Sequence, residues 1–588
     1  MTLLDLPPEV RLAIYDAYVA VDGGYVLKPE TNKLTPANGN EKHEFALQLT
    51  CKQIACEMRG LALRRNTLNF RAEYSNEGRI AAARFHHIQA TIAGLLLCFL
   101  TNQDHSRAEG VNVEAATEGD DDIDNDGVPY FTHSIIDEVV KEFPQLKTFF
   151  RAILNQGELL NSIPFNAAER FGVSPSALRR GAWRTFQLAI ENGTVLDGQM
   201  SWIFQCPKRA NALAQDFPPW SFHPTREVFE GLMENSGMLF RRLGHDYWTK
   251  PHVDGLGIRQ YTQGRYKFSA AAHAIHYLSH CPQQVRMHIR RIRLYEDTLS
   301  VAFPECHALG LIPFCQENPH LFIERHVDMW RTVFRTSLSS SMYYWTVEAE
   351  REVALNPEYQ EESANGTRLN TKRASRSFAL WVCEALELAR SGMPKGSFKL
   401  VFDGDSAPKP SSQIFRDVIQ RDAVWQRVIK MQRDQWTLTE QEQSEKLAET
   451  FDFSFSPWYF IDGYPDAIDD MARNKHRLIE CSFATSLSHL DPVTEYRKYS
   501  YLEPGLDAVF ALFAAFDSNS ERFVDMPHSL PSWKDLVAED ILPEFFDPDQ
   551  DLDQVSDADF NMLSSDSDDA SDDGEDEEDA SSTFGNHE

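Results

Sequence analysis

Three times along this chain a helix with apolar residues three and four apart is followed by a short strand of alternating apolar positions. Leu47, Cys51, Ile54, Met58 and Leu61 share one helical face ahead of NTLNF at 66–70. Phe268, Ala271, Ala272, Ile275 and Leu278 precede IRRIRLY at 289–295, where Ile292 and Leu294 alternate with Arg291 and Arg293. Phe378, Trp381, Val382, Ala385 and Leu386 precede SFKLVFDGD at 397–405, whose Phe398, Leu400 and Phe402 fall on one side of a strand. Repeated switching between a period of 3.6 and a period of 2 points to a helix-dominated α+β fold. The strands begin near 67, 290 and 397 with no fixed period, so a repeat-built solenoid is not expected.

Length and charge divide the chain. At 588 residues it exceeds what a single core ordinarily holds, and 42% apolar and 11% aromatic residues supply material for large cores. Residues 1–75 read as a compact N-terminal unit and 76–103 as a buried helical segment. The stretch IQATIAGLLLCFL at 88–100 is too short to span a bilayer. Residues 104–133 hold eight acids between Glu109 and Asp126 and read as a disordered insertion. A mixed α/β body of one or two domains follows over 134–540, interrupted by a polar loop at 356–375. Residues 544–588 carry 18 Asp and Glu and no Lys or Arg. Removing those 18 charges from the net −32 leaves −14 for the rest, so 545–588 reads as an acidic disordered tail. Nine scattered cysteines without a CxxC pair, and no basic–apolar leader, fit an intracellular protein, nuclear or cytoplasmic.

The first helix, within LLDLPPEVRLAIYDAYV at 3–19, is apolar on two sides. Leu6, Val10, Ala13, Ile14 and Ala17 fall on one face and Leu12, Tyr15 and Val19 on nearly the opposite one. Pro7 and Pro8 suit its first turn, and Glu9 suits the helix dipole. Such a helix has two surfaces to bury, one against its own unit and one against something else.

This stretch, with LQLTCKQIACEMRGLALRRNTLNF at 47–70, resembles the F-box-like amino terminus of many fungal proteins. Leu6, Pro7, Glu9, Val10, Arg11, Ile14 and Tyr15 match the first helix of that pattern. Leu49, Thr50, Cys51, Lys52, Gln53, Ile54, Glu57, Asn66, Thr67 and Phe70 match its second helix and strand. An ordinary F-box packs three contiguous helices, whereas residues 21–44 separate the two recognised here. The resemblance implies docking to a Skp-type adaptor of a cullin–RING ubiquitin ligase through Leu6, Pro7, Val10, Leu12, Ile14 and Tyr15. The body would then recruit an unknown protein substrate. A protein that keeps these helices as scaffold, without adaptor binding, is the alternative. A second stretch, KFSAAAHAIHYLSHCPQQVRMHIRRIRLYEDTLSVAFPECHALGLIPFCQENPHLFIERHVDMWRTVF, resembles large fungal proteins without an assigned activity.

Catalytic signatures are missing: there is no GxGxxG, GxxxxGK[ST], GxSxG or HExxH, so an enzyme is not expected. DIDNDG at 122–127 has the start of a calcium loop, but His133 stands where a bidentate Glu is needed. Cys281, Cys306, His307, Cys315 and His320 lack the paired spacing of a zinc site, so neither a metal nor another cofactor is expected. His245 beside Asp246 reads as a surface loop. Arg286, Arg290, Arg291 and Arg293 could grip phosphate, but the acidic body and the lack of interleaved aromatics favour ion pairs and argue against nucleic acid. Ser556 and Ser565, each with an Asp three residues on, suit an acid-directed kinase.

Overall fold

The computed structural model describes residues 3–29, 31–39, 46–101, 132–150, 173–192, 217–222, 264–335, 369–434, 462–499, 501, 511–512 and 523–541. The insertion at 104–131, the His245–Asp246 pair, the calcium-like loop and the tail from 542 lie outside them. The fold is helix-rich α+β.

Its frame is one sheet of seven strands: β1 (Tyr25–Lys28), β2 (Lys33–Pro36), β3 (Thr67–Arg71), β4 (Arg291–Glu296), β5 (Phe322–Asp328), β7 (Phe398–Asp403) and β8 (Ile479–Cys481). Their spatial order is β2-β1-β3-β4-β5-β7-β8. β1 and β2 form an antiparallel hairpin, and every other pairing is parallel. Two further short strands, β6 (Leu369–Asn370) and β9 (Phe523–Val524), pair antiparallel on their own.

From β3 onward the strands of the sheet join in chain order, although they start at residues 67, 291, 322, 398 and 479. Sequential parallel stacking is the topology of a solenoid without its period. Spacing in the sequence could not show this, because the crossovers differ so much in length.

The N-terminal unit therefore does not stand beside the body as a separate helical module. Residues 25–71 supply three of the seven strands, and β3 pairs with β4 from Thr67↔Arg291 to Arg71↔Tyr295. Among the described residues between α1 and the Leu47–Leu49 turn, the chain forms the β1–β2 hairpin and no helix. Gly24, at φ +74°, makes possible the turn that leads from α1 into β1: a Cβ there would lie 2.2 Å from the Thr67 carbonyl oxygen.

One sheet face is apolar and covered. Leu68, Phe70, Ile292, Leu294, Ile323, Val327, Phe398, Leu400 and Phe402 are all buried on it. Helices α7 (Ala270–His280), α8 (Thr371–Arg390) and α10 (Tyr464–Ala472) bring Ala271, Ile275, Phe378, Val382, Ile468 and Met471 to the same core. α8 begins at Thr371, inside the stretch expected to be a polar loop, and 356–368 lies outside the described residues. The main cluster of buried side chains runs from Tyr25 to Leu536 and spans every strand of the sheet's covered side, with a smaller cluster around Phe85, Tyr266, Phe268 and Val301 beside it.

A second layer holds α4 (Asn76–Thr101), α5 (His133–Glu142) and α6 (Pro175–Glu191), with α6 packed against both of the others. α4 carries the apolar 88–100 stretch and buries Ile88, Leu95, Leu96, Phe99 and Leu100. Phe99 meets Phe186 edge-on at 5.2 Å. No described helix is long and apolar enough to cross a membrane.

Candidate functional site

Helix α1 (Pro8–Val19) starts at Pro7, where Val10 N–H and Arg11 N–H both donate to the Pro7 carbonyl. Its inner side is set by Arg11, Tyr15 and Val19, four residues apart and all buried. Val19 and Tyr15 pack with Ile54, Met58 and Leu61, while Leu47 and Cys51 lie at the edge of that cluster. The expected helical face is thus assembled, but from three pieces: a 3₁₀ turn at Leu47–Leu49, α2 (Lys52–Glu57) and α3 (Leu61–Arg65). Gly60, at φ +66°, breaks the run because a Cβ there would lie 2.2 Å from the His288 ring.

The polar part of the inner side centres on Glu57. Arg11 grips it with two prongs, Nε to Oε2 at 3.0 Å and Nη2 to Oε1 at 2.6 Å. Tyr15 Oη donates to Oε2 at 3.0 Å and Gln53 Nε2 to Oε1 at 3.0 Å. Arg11 Nη1 also donates to the Leu6 carbonyl at 2.6 Å, drawing the residues before α1 against the helix. Hydrogen bonds from Arg11 and then Gln53 hold the Glu57 carboxyl down at about 2. Burial raises the Tyr15 hydroxyl.

The outer side is open and mixed, with Glu9 and Asp16 exposed between apolar residues. Val10 and Leu12 are each 44% exposed, Leu4 40% and Ile14 39%. Pro7, Ala13 and Ala17 are exposed with them, and Leu6 is half-buried. On the same unit Leu49 is 83% exposed.

Of the six residues expected to meet an adaptor, Pro7, Val10, Leu12 and Ile14 are therefore accessible and Leu6 is partly so. Tyr15 is corrected: at 0% exposure it belongs to the unit's own core. Its hydroxyl reaches Glu57 across 42 residues of sequence, a long-range contact that helical spacing cannot reveal. Arg11 and Glu57 were read only as matches to a pattern, and the structure shows why both are charged.

Elsewhere the candidate chemistry resolves into structural contacts. Among the described residues no group of three or more His, Cys, Asp and Glu is placed to hold a metal ion. His307 Nε2–H donates to the Ala302 carbonyl at 2.7 Å, which leaves Nδ1 to accept from Ser269 Oγ at 2.7 Å. Burial holds this imidazole down at about 3, so it stays neutral. Ser269 in turn caps α7 through the Ala272 N–H and is fully buried, which removes it as a nucleophile.

Two buried carboxylates also close helix N-termini. Glu296 accepts from the Ala270 and Ala271 N–H groups of α7 and from Arg325 Nη2 at 2.7 Å. Glu384 accepts from the Ser176 N–H of α6 at 2.9 Å, and burial pushes it up to about 7. Arg286 grips Glu317 with two prongs and Arg293 holds Glu324, the ion-pair arrangement expected of that basic stretch. Arg290 donates to the Met287 and Ile289 carbonyls. Comparison with protein-family models, curated proteins and solved structures finds no match for this chain.

Proposed function

We propose that this chain is a non-enzymatic interaction protein that docks a Skp-type ubiquitin-ligase adaptor through the outer side of α1 and presents a protein substrate on its body. The observation that carries the reading is that Val10 and Ile14, on one face of a helix already anchored from behind, stay exposed, as do Leu12 on another side of the helix and Leu4 in the turn before it. An amphipathic helix fixed on one side and apolar on the other is a ready insert for a hydrophobic groove. Burying the exposed parts of these four side chains contributes on the order of 1 kcal/mol each, enough to matter in a groove of matching shape. The Arg11–Glu57–Tyr15 contacts add preorganisation, since α1 has no backbone ordering left to lose on docking.

The β1–β2 hairpin favours a second reading, a scaffold that uses these elements only as fold. It occupies the sequence between the two helices where an ordinary F-box has its middle helix, and it extends the body's sheet.

Co-expression of the full chain with a fungal Skp-type adaptor separates the two. The docking reading expects the adaptor to co-purify with the wild type and not with the Val10→Asp/Ile14→Asp double variant. A folded wild type that never retains the adaptor would leave the scaffold reading standing.

A further inference from the structure

The second face of the sheet is polar, and next to the end of α1 it opens into a cleft of about 420 Å³. Its charged lining consists of Arg65, Arg71 and Arg293, with no carboxylate among the lining residues. The three come from different elements: the end of α3, the end of β3, and β4. Register places Asn69 beside Arg293 and Arg71 beside Tyr295, so these side chains share the outward face.

The cleft is built in advance. Asn69 Nδ2 donates to the Gly23 carbonyl at 2.8 Å and to the Tyr25 carbonyl at 3.0 Å, fixing the turn that forms one wall. The Arg71 guanidinium lies 4.4 Å from the centre of the Tyr295 ring, and its Nη1 holds Asp297. Arg293 is held from outside the cleft by Glu324. Arg65 is exposed and has no partner among the described residues. Arg65, with Arg71 and Arg293 lining the same cleft and keeping guanidinium hydrogens beyond those given to Asp297 and Glu324, suits carboxylates presented along a peptide.

The chain itself holds such a peptide. Residues 544–588 have 18 acidic residues and no basic one. The last described residue before them is Ile541. Gly264 forms a bridge to Ile541, and Arg265 N–H donates to the Asp540 carbonyl at 2.7 Å. The Arg265 guanidinium lies over the ring of Tyr74, at 5.5 Å. Tyr74 is three residues past Arg71, at most about 10 Å of chain. Ten residues beyond Ile541 span up to about 33 Å, a length comparable with the path through Arg265 and Tyr74 to the Arg71 end of the cleft. A tether this short gives an effective concentration in the millimolar range.

We infer that the acidic segment 544–588 occupies this cleft in its own chain, setting carboxylates on Arg65, Arg71 and Arg293 and closing the site to other acidic peptides. The inference is independent of adaptor docking, which uses the opposite end of the same unit's chemistry: an apolar helix face.

The test compares the full chain with a full-length variant in which Asp547, Asp549, Asp551, Asp553, Asp557 and Asp559 are changed to Asn. The probe is a fluorescent peptide of residues 544–573, added in trans at about 50 mM salt. The neutralised chain should bind the peptide at least roughly tenfold more tightly than the wild type, whose own segment competes. Adding Arg65→Glu to the neutralised chain should remove that gain. Arg65 is exposed and unpaired, so this change leaves the fold intact, and an unchanged melting curve checks it. Equal peptide binding by wild type and neutralised chain, or binding indifferent to Arg65→Glu, would overturn the inference. So would a cleft that binds poly-glutamate but not the 544–573 peptide, since its occupant would then come from another protein.

Discussion

Strand β3 and helix α1 belong to the same N-terminal unit, yet the molecule holds them in opposite ways. β3 lies between β1 and β4, with Leu68 and Phe70 fully buried in the main core. α1 is fixed on one side only, by Tyr15, Val19 and the Arg11–Glu57 pair, and it leaves Val10, Leu12 and Ile14 open. The body cannot keep its sheet without β3, whereas the outer side of α1 packs into none of the hydrophobic clusters of the described residues. Apolar exposure there is thus unexplained by folding, and that gap is what points to a partner.

Substitutions should separate the two regions by size of effect. Phe70→Ala should cost about 3–5 kcal/mol and lower the unfolding midpoint of the whole described core, measured by denaturant titration. If only the first 75 residues responded, β3 would not be the shared element the pairing indicates. Tyr15→Ala should cost about 2–4 kcal/mol, but locally. Hydrogen exchange should speed up across 8–19 and 52–65 while strands β4 to β8 keep their protection.

Two carboxylates, Glu57 behind α1 and Glu384 in α8 of the body, should also answer pH with opposite sign. Glu57 is held near 2 in the fold against an ordinary 4.5, so its contribution is complete above 4.5 and is lost as pH falls toward 2. Exchange of the α1 amides should rise over that window. Glu384 is raised to about 7, so its contribution is complete below 4.5 and declines as pH climbs through 7. Melting temperature should fall from pH 5 to pH 7.5, and Glu384→Gln should flatten that slope. A wild-type profile equally flat would deny Glu384 this part. The smallest effect on stability belongs to Val10→Asp/Ile14→Asp. Both sites are exposed, so the double change should shift stability by less than about 1 kcal/mol.

Much of the fold was legible in periodicity. Phe398, Leu400 and Phe402 share the buried side of β7, Ile292 and Leu294 that of β4, and the 88–100 stretch forms a buried helix. What periodicity carried less well were contacts between distant segments. β5 places Arg325 inward between Ile323 and Val327, because Glu296 of the neighbouring strand and the Pro304 carbonyl receive its guanidinium. A charged residue in that position hides the apolar alternation of the strand. The β1–β2 hairpin was similarly masked by its lysines, although Gly23–Gly24 before it and Gly39 after it mark its two ends. For the docking site, the two-faced character of α1 could be read directly. Which face turned inward could not, since that choice rests on Glu57, forty-odd residues away.

The most direct measurement is the affinity of a purified Skp-type adaptor for the full chain, wild type against Val10→Asp/Ile14→Asp, by calorimetry with melting curves on the same samples. The account predicts saturable binding by the wild type, weakened at least about 100-fold in the double variant, with melting curves that superimpose. Equal affinity in the two proteins would contradict it. So would binding lost together with a collapsed melting transition, because the outer side of α1 would then be part of the fold and not a surface kept for a partner.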